Sequence, residues 1–282
     1  MTAQQAVVAA QRRIWLIADD YGISPAVSAA IRDLAARGRL SGTSVMVTAP
    51  SFDRAQAQPL AALTAGATRV AIGLHVTLTA PFRPLTREFA PTQDGAFPRL
   101  APLMARAFLG RLDRAKLAAE IAAQLAAFAA AFGRPPEFVD GHQHVQLLPI
   151  VRDAFLATAR DAAPRAWVRQ CGSVRNALSD PKGLLLDWLS RRFRTRAEAV
   201  GVRTNPAFAG TYTFDDKAQF AALFPGFLDN LPDGGVIMCH PGEVDDELRR
   251  LDPLTDLRAR EYAYLASDGF AALLRSQEIS LS

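Results

Sequence analysis

The chain has 282 residues, 50% hydrophobic and 21% charged, a composition that excludes a disordered or low-complexity polymer. At about 150 residues per domain the length suggests two domains, yet α/β barrels of this size close around one core. The net charge of +4 comes from 32 basic and 28 acidic residues, with lysine at Lys116, Lys182 and Lys217 alone; so Arg-rich a balance reads as compositional bias, and no nucleic-acid partner is expected.

In chain order, short apolar runs alternate with longer helical ones. Ile14 to Ala18 reads as a buried parallel strand that ends at two aspartates, Asp19 and Asp20. Pro25 to Arg37 has helical spacing, with Ser24 as cap and Pro25 at the first helical position. Ser44 to Thr48 is the next strand, followed by a helix from about Phe52 to Ala65, and Val70 to Val76 is the third strand. Ala80 to Gly110 is rich in Pro, Phe and Arg without a period. A stretch that long after a strand is read as a substrate-capping insertion. An Ala-rich helix covers Ala115 to Phe132, and strands follow at Phe138 to Gly141, Ala166 to Arg169 and Val236 to His240. Further helices are expected from Pro149, over Pro181 to Ala199, Asp216 to Asn230 and Leu254 to Ser276, with a last strand at Ile279 to Leu281. Strands separated by helices imply a parallel sheet, and about seven of them imply one distorted, TIM-type (β/α) barrel domain spanning residues 1 to 282.

The chemistry-bearing residues collect where such a barrel keeps its active site, at the C-terminal ends of the strands. All four histidines, His75, His142, His144 and His240, fall there, beside the Asp pair. A lone histidine is more often a hydrogen-bonded structural residue than a ligand, and an isolated Asp often only caps a helix. Four histidines on one rim with two carboxylates reverse that reading, and Ser24 already fills the cap. One member of the Asp pair with His75 and His142 can hold a divalent ion and leave a position for water. Adjacent aspartates on an extended backbone point opposite ways, so the second can serve as base. His142 and His144, two apart, would face one side of an extended segment. His144 then positions His142 or contacts substrate. His240 is a candidate general acid, because an unperturbed imidazole titrates near neutrality. Arg169 can orient a carboxylate or bind substrate. Cys239 beside His240 suggests a Cys–His pair, but strand neighbours face apart.

The segments LIADDYGIS, AIGLHVTLT, DGHQHVQLLP and MCHPGEVD resemble, in order and spacing, the motifs of the YdjC-like carbohydrate deacetylases, the family of the ChbG-type chitooligosaccharide deacetylases, distantly similar to polysaccharide deacetylases. The resemblance runs from Leu16 to Asp245. It implies a (β/α)-barrel-like fold, Asp20, His75 and His142 as metal ligands, Asp19 as general base and His240 as general acid. Tyr21, His144 and Arg169 become candidate substrate contacts. Two positions depart from the family pattern: Tyr21 stands where Phe is commoner, and Gln146 where many members carry a further His.

The function expected is a metal-dependent hydrolase that removes acetyl groups from an N-acetylated amino sugar or a short oligosaccharide such as a chitooligosaccharide. The alternatives are another metal-dependent hydrolase, acting on a phosphoester or cyclic amide, and a non-catalytic sugar-binding barrel. One divalent ion is expected, Zn²⁺ or Mg²⁺ first and Mn²⁺ or Co²⁺ next, although Mg²⁺ prefers oxygen ligands. Arg191, Arg192, Arg194 and Arg196 form a basic run read as a solvated face. Two cysteines, Cys171 and Cys239, cannot make a disulfide framework. The apolar runs fall short of the ~18 residues of a membrane span, and Met1 to Arg12 lacks the basic and apolar regions of a leader. A cytoplasmic protein acting on a small carbohydrate is therefore expected, and a homodimer is compatible with a barrel of this kind.

Overall fold

The computed structural model describes residues 11–65, 69–87, 89, 94–173, 181–215 and 217–282. Its centre is a parallel sheet. The strands are β1 (Arg12–Tyr21), β2 (Gly42–Val45), β3 (Ala71–Val76), β4 (Phe138–Gly141), β5 (Trp167–Val168), β6 (Phe208–Ala209), β7 (Val236–Cys239) and β8 (Ile279–Leu281). They run in the order β5-β4-β3-β2-β1-β7-β6, and β8 pairs with the start of β1. Every residue of β2, β3, β4 and β7 is buried, because helices cover one face of a parallel sheet while the other face lines its interior. The seven strands curl until their ends approach. Isolated parallel bridges, Val168 to Thr204 and Ser173 to Phe208, mark the seam between β5 and β6. The result is a distorted (β/α) barrel.

The helices around it are α1 (Pro25–Ala36), α2 (Arg54–Ala62), α3 (Leu100–Phe108), α4 (Arg114–Phe132), α5 (Val151–Ala162), α6 (Pro181–Ala199), α7 (Phe220–Leu228), α8 (Asp246–Leu251), α9 (Asp256–Ala266) and α10 (Asp268–Ser276). Local chemistry sets their ends. Ser24 accepts a hydrogen bond from the Val27 N–H ahead of α1, and Asp113 caps α4, which stops where Gly133 enters the left-handed region at φ 69°. By length and composition α4 does reach what a membrane span needs, contrary to the reading of the apolar runs. Its buried face carries Glu120 and Gln124, however, and these hold the chain after β3. The four arginines of α6 lie on its outer side, apart from ties such as Arg196 to Asp153.

Several elements differ from expectation, among them α8, which no expected helix covers, and β2, which ends at Val45 instead of Thr48. β6 has two residues, too short to show a period. The helix expected over Leu254 to Ser276 breaks at Ser267, which caps a separate α10 by accepting from Phe270. The aperiodic stretch from Ala80 contains α3, and ahead of it the chain folds back on itself: Ala80 donates to the Pro98 carbonyl at 3.0 Å and Phe97 to the Phe82 carbonyl at 2.9 Å.

Candidate metal and catalytic site

The end of β1 breaks its own alternation. It pairs with β2 at Ala18 to Thr43 and next at Tyr21 to Val45, which leaves one extra residue in β1. Asp20 lies in that bulge at φ 66°, a left-handed conformation that Asp tolerates better than most residues. On a regular strand Asp19 and Asp20 would face apart; the bulge brings both carboxylates to His75. Ser44 donates to Asp19 Oδ1 at 3.2 Å and lies 3.1 Å from His75 Nδ1, while Asp20 Oδ1 lies 3.2 Å from His75 Nε2.

The register of β3 on β4 sets His75 beside Asp140, and His75 Nδ1 meets Asp140 Oδ1 at 2.6 Å. That contact aims Nε2 at Asp20, as carboxylate–imidazole pairs do behind metal ligands. His142 begins a tight helical turn after β4 and puts its Nδ1 3.0 Å from the same Asp20 oxygen. Asp20, His75 and His142 thus offer one ligand atom each within 4.8 Å of one another. Ligands about 2.1 Å from an ion stand about 3.0–3.4 Å apart in octahedral or tetrahedral geometry, so one oxygen and two imidazole nitrogens at these spacings suit a borderline divalent ion.

Two guanidiniums hold the carboxylates. Arg169 spans Asp19, donating to its two oxygens at 2.7 and 2.6 Å, and also contacts Asp140. Arg258, from α9, donates at 2.6 Å to the other oxygen of Asp20 and to Asp252, and its Nε donates to the Leu254 carbonyl. Asp19, Asp20, His75, Asp140, Arg169 and Arg258 are all 2% exposed or less. Burial raises the Asp19 carboxyl, but Arg169 outweighs it and leaves the group lowered to about 2. Asp20 is held well below the ordinary carboxylate range because Arg258 and His142 overcome its burial. Burial lowers His75, yet the Asp140 and Asp19 charges carry it up to about 10.

His240 stands just past β7. Its N–H donates to Glu261 at 2.6 Å, Tyr212 donates to the other oxygen of that carboxylate at 2.5 Å, and Phe214 meets the imidazole edge-on. His240 Nδ1 is buried without a hydrogen-bond partner. Burial, aided by Arg258, lowers the ring to about 4 against the pull of Asp20 and Asp19, so the resting imidazole is neutral. Burial raises Glu261 to about 7.

The other expected contacts fall elsewhere. Tyr21 is fully buried, its hydroxyl donating to the Gln56 carbonyl and accepting from Arg32; following the bulge, it lies between α1 and α2. Arg169 is buried and meets the Asp19 and Asp140 carboxylates. His142 and His144 do not share a side, since Gln143 and His144 sit at φ 55° and 58°. That turn sends His144 to Cys171 Sγ at 3.4 Å and edge-on to Phe208. Gln146, buried, donates to the Arg169 carbonyl at 3.2 Å. Sequence reasoning missed Ser44, Arg258, Asp252 and Glu261. Arg258 and Glu261 belong to an ordinary charged helix, and no local pattern marks them. The loop before α3 comes over the site: Phe82 meets the His142 ring edge-on at 5.8 Å, and Glu120 accepts from the Leu85 and Thr86 N–H groups.

A family profile described as YdjC-like protein matches residues 13–276. The chain is 29% identical over 248 residues to a chitooligosaccharide deacetylase of Citrobacter koseri, covering 85% of each chain. It is 29% identical over 237 residues to one of Yersinia pestis, covering 82% of each. Among solved structures, a protein of Enterococcus faecalis named for cellobiose-phosphate cleavage superposes with a TM-score of 0.75 at 23% identity, over 96% of this chain and 97% of that one; at that identity the likeness concerns the fold.

Proposed function

This chain belongs to the YdjC-like family, and on that premise we propose that it is a metal-dependent carbohydrate N-deacetylase acting on an N-acetylated amino sugar or short chitooligosaccharide. The observation that carries the reading is the convergence of His75 Nε2 and His142 Nδ1 on one oxygen of Asp20, at 3.2 and 3.0 Å, with Asp19 held ionised beside them. The relatives named chitooligosaccharide deacetylases support the substrate class.

A divalent ion on Asp20, His75 and His142 would polarise an acetamide carbonyl and acidify a water, the chemistry that a base as weak as Asp19 requires. Asp19 accepts the water proton through a carboxylate that Arg169 keeps ionised and fixed in direction. Arg258 occupies the second oxygen of Asp20, which leaves the first as the ligand atom. Asp140 keeps the His75 ring in the orientation that points Nε2 outward. His240 is neutral at rest with a free Nδ1, so it can take up the proton that Asp19 removed from the water and pass it to the departing amine, a poor leaving group otherwise. Phe82, edge-on to His142, closes that side of the site against water, and the stretch after β3 that carries it would limit the length of saccharide admitted.

The rival phosphoester reading asks for a second ion. Of the residues that could hold it, Asp19, His75 and Asp140, the two carboxylates already share Arg169 and His75 serves the first ion, so a single ion is expected. Acetate release from N-acetylglucosamine oligomers, measured after loading with Zn²⁺, Mg²⁺, Mn²⁺ or Co²⁺, tests the proposal. Release with one bound ion per chain, lost in Asp20→Asn, is the expected result. Saccharide binding without acetate under all four ions would instead identify a sugar-binding barrel, and two tightly bound ions the phosphoesterase.

A further inference from the structure

The barrel has a second mouth, at the N-terminal ends of its strands, with a cavity of about 580 Å³. Alternation along the strands makes its ceiling. Trp15 lies four residues before Asp19, Phe138 two before Asp140 and Trp167 two before Arg169, so each shares the inward face of its strand with a site residue. Gly73, two before His75, leaves the room that the Phe138 ring fills; a Cβ there would come within 2.4 Å of that ring. Phe138 stacks on Trp167 at 4.8 Å, and Trp167 meets Trp15 at 5.7 Å. An aromatic layer therefore separates the carboxylate layer from the lower cavity, and Trp15 and Trp167 remain partly exposed to it.

The rim is basic. Arg69, Arg134, Arg165 and Arg203 line the cavity with a single carboxylate, Glu137. Glu137 accepts from Arg69 at 3.0 Å and from Arg134 at 2.9 Å, so one negative charge serves two guanidiniums. Arg203 donates to the Arg165 carbonyl at 2.5 Å, a contact that neutralises nothing, and the Arg165 side chain is exposed. The volume lies within the roughly 300–1,000 Å³ of small-molecule sites, and a pocket of that size admits a single small ligand. Guanidiniums bind phosphate with paired N–H donors, and indole faces accept a flat ring.

We propose that this mouth binds a mononucleotide, its base against Trp15 and Trp167 and its phosphates on the arginine rim. A bare phosphate leaves the aromatic ceiling unused, and a neutral ring leaves three net positive charges unmatched. The proposal is independent of the chemistry at the opposite mouth.

Titration of tryptophan fluorescence with ADP, adenosine and inorganic pyrophosphate tests it. ADP should quench saturably, with an affinity that falls as salt rises, and adenosine should bind more weakly. Pyrophosphate should compete with ADP without quenching. Arg165→Glu, an exposed change outside the catalytic end, should weaken ADP binding by about tenfold or more while acetate release stays at the wild-type rate. Trp188→Phe removes the third tryptophan, on α6, and should leave the ADP quench intact. No saturable quench by ADP, a quench unaffected by Arg165→Glu, or pyrophosphate binding as tightly as ADP each overturns the proposal.

Discussion

Glu261 gives the protein a pH dependence that runs opposite to that of Asp19 and Asp20. Burial raises this carboxyl from 4.5 to about 7, while its two oxygens accept from the His240 N–H and the Tyr212 hydroxyl. Between those two values the folded chain holds a proton that the unfolded chain has released, so stability falls as pH rises. The contribution is complete below about 4.5, declines toward 7 and is flat above it. A shift of this size, at about 1.4 kcal/mol per unit, corresponds to about 3 kcal/mol. Asp19 and Asp20 carry depressed values, so their stabilisation is present above the ordinary Asp range and lost in acid. Glu261→Gln keeps an acceptor for the His240 N–H and can donate to the Tyr212 oxygen, but it does not titrate. Urea denaturation at about pH 5 and about pH 8 should show the two proteins close in stability at the lower pH, with the variant roughly 2–3 kcal/mol ahead at the higher. Taking the difference between the proteins cancels the loss that His75, raised to about 10, adds to both as pH increases. A constant gap across that range would mean that Glu261 is ionised throughout, and the argument from its burial would fail.

Asp140→Asn keeps the shape but removes the charge behind His75 and one contact of Arg169, and metal affinity by calorimetry should drop about 10- to 100-fold. An unchanged affinity would remove Asp140 from the support of the metal site. His240→Ala should retain its ion by elemental analysis while kcat falls about 10²- to 10⁴-fold; wild-type turnover would reassign the proton donor. Tyr21→Phe deletes a buried hydroxyl that joins Arg32 to the Gln56 carbonyl, so it should cost about 1–2 kcal/mol of stability with KM unchanged. A raised KM would return Tyr21 to the substrate site.

What the sequence made legible follows from where it speaks locally. Apolar runs such as IWLIA end at carboxylates or histidines, and strand ends converge in a parallel barrel, so Asp19, Asp20, His75 and His142 could be grouped before any coordinates. Strict alternation ends at Asp20, where a bulge adds a residue that no composition signal marks. The same bulge carries Tyr21 between α1 and α2, where its hydroxyl joins Arg32 to the Gln56 carbonyl. His144 was misplaced by two left-handed residues in a turn that reads as extended. Arg258 and Glu261 were invisible for another reason: each acts over a long sequence separation, 238 residues from Arg258 to Asp20 and 21 from Glu261 to His240. A charged residue on an amphipathic helix looks alike whether it faces water or a buried carboxylate. The two-residue strand β6 escaped because it is shorter than the period that identifies a strand.

The charge balance at the site argues for one ion and for acyl chemistry. The fully buried carboxylates Asp19, Asp20 and Asp140 face Arg169 and Arg258, which leaves one negative charge among these five groups, while Asp252 meets Arg258 from a partly exposed position. Protonated His75 matches it, and charges this deep need such a match. A divalent ion held by Asp20, His75 and His142 would take the place of that proton and leave the cluster at a single positive charge. Negative charge arising on an acetamide oxygen would be favoured there, and that is the charge change deacetylation demands. A second divalent ion would bring the cluster to three positive charges and would have to displace Arg169 from both Asp19 and Asp140. Arg169→Met should therefore make room for a second ion while depriving Asp19 of its support. Two ions per chain in that variant, one in the wild type, and weaker acetate release despite the added metal would together mark Arg169 as the group that fixes the stoichiometry. One ion in both proteins would refute that role.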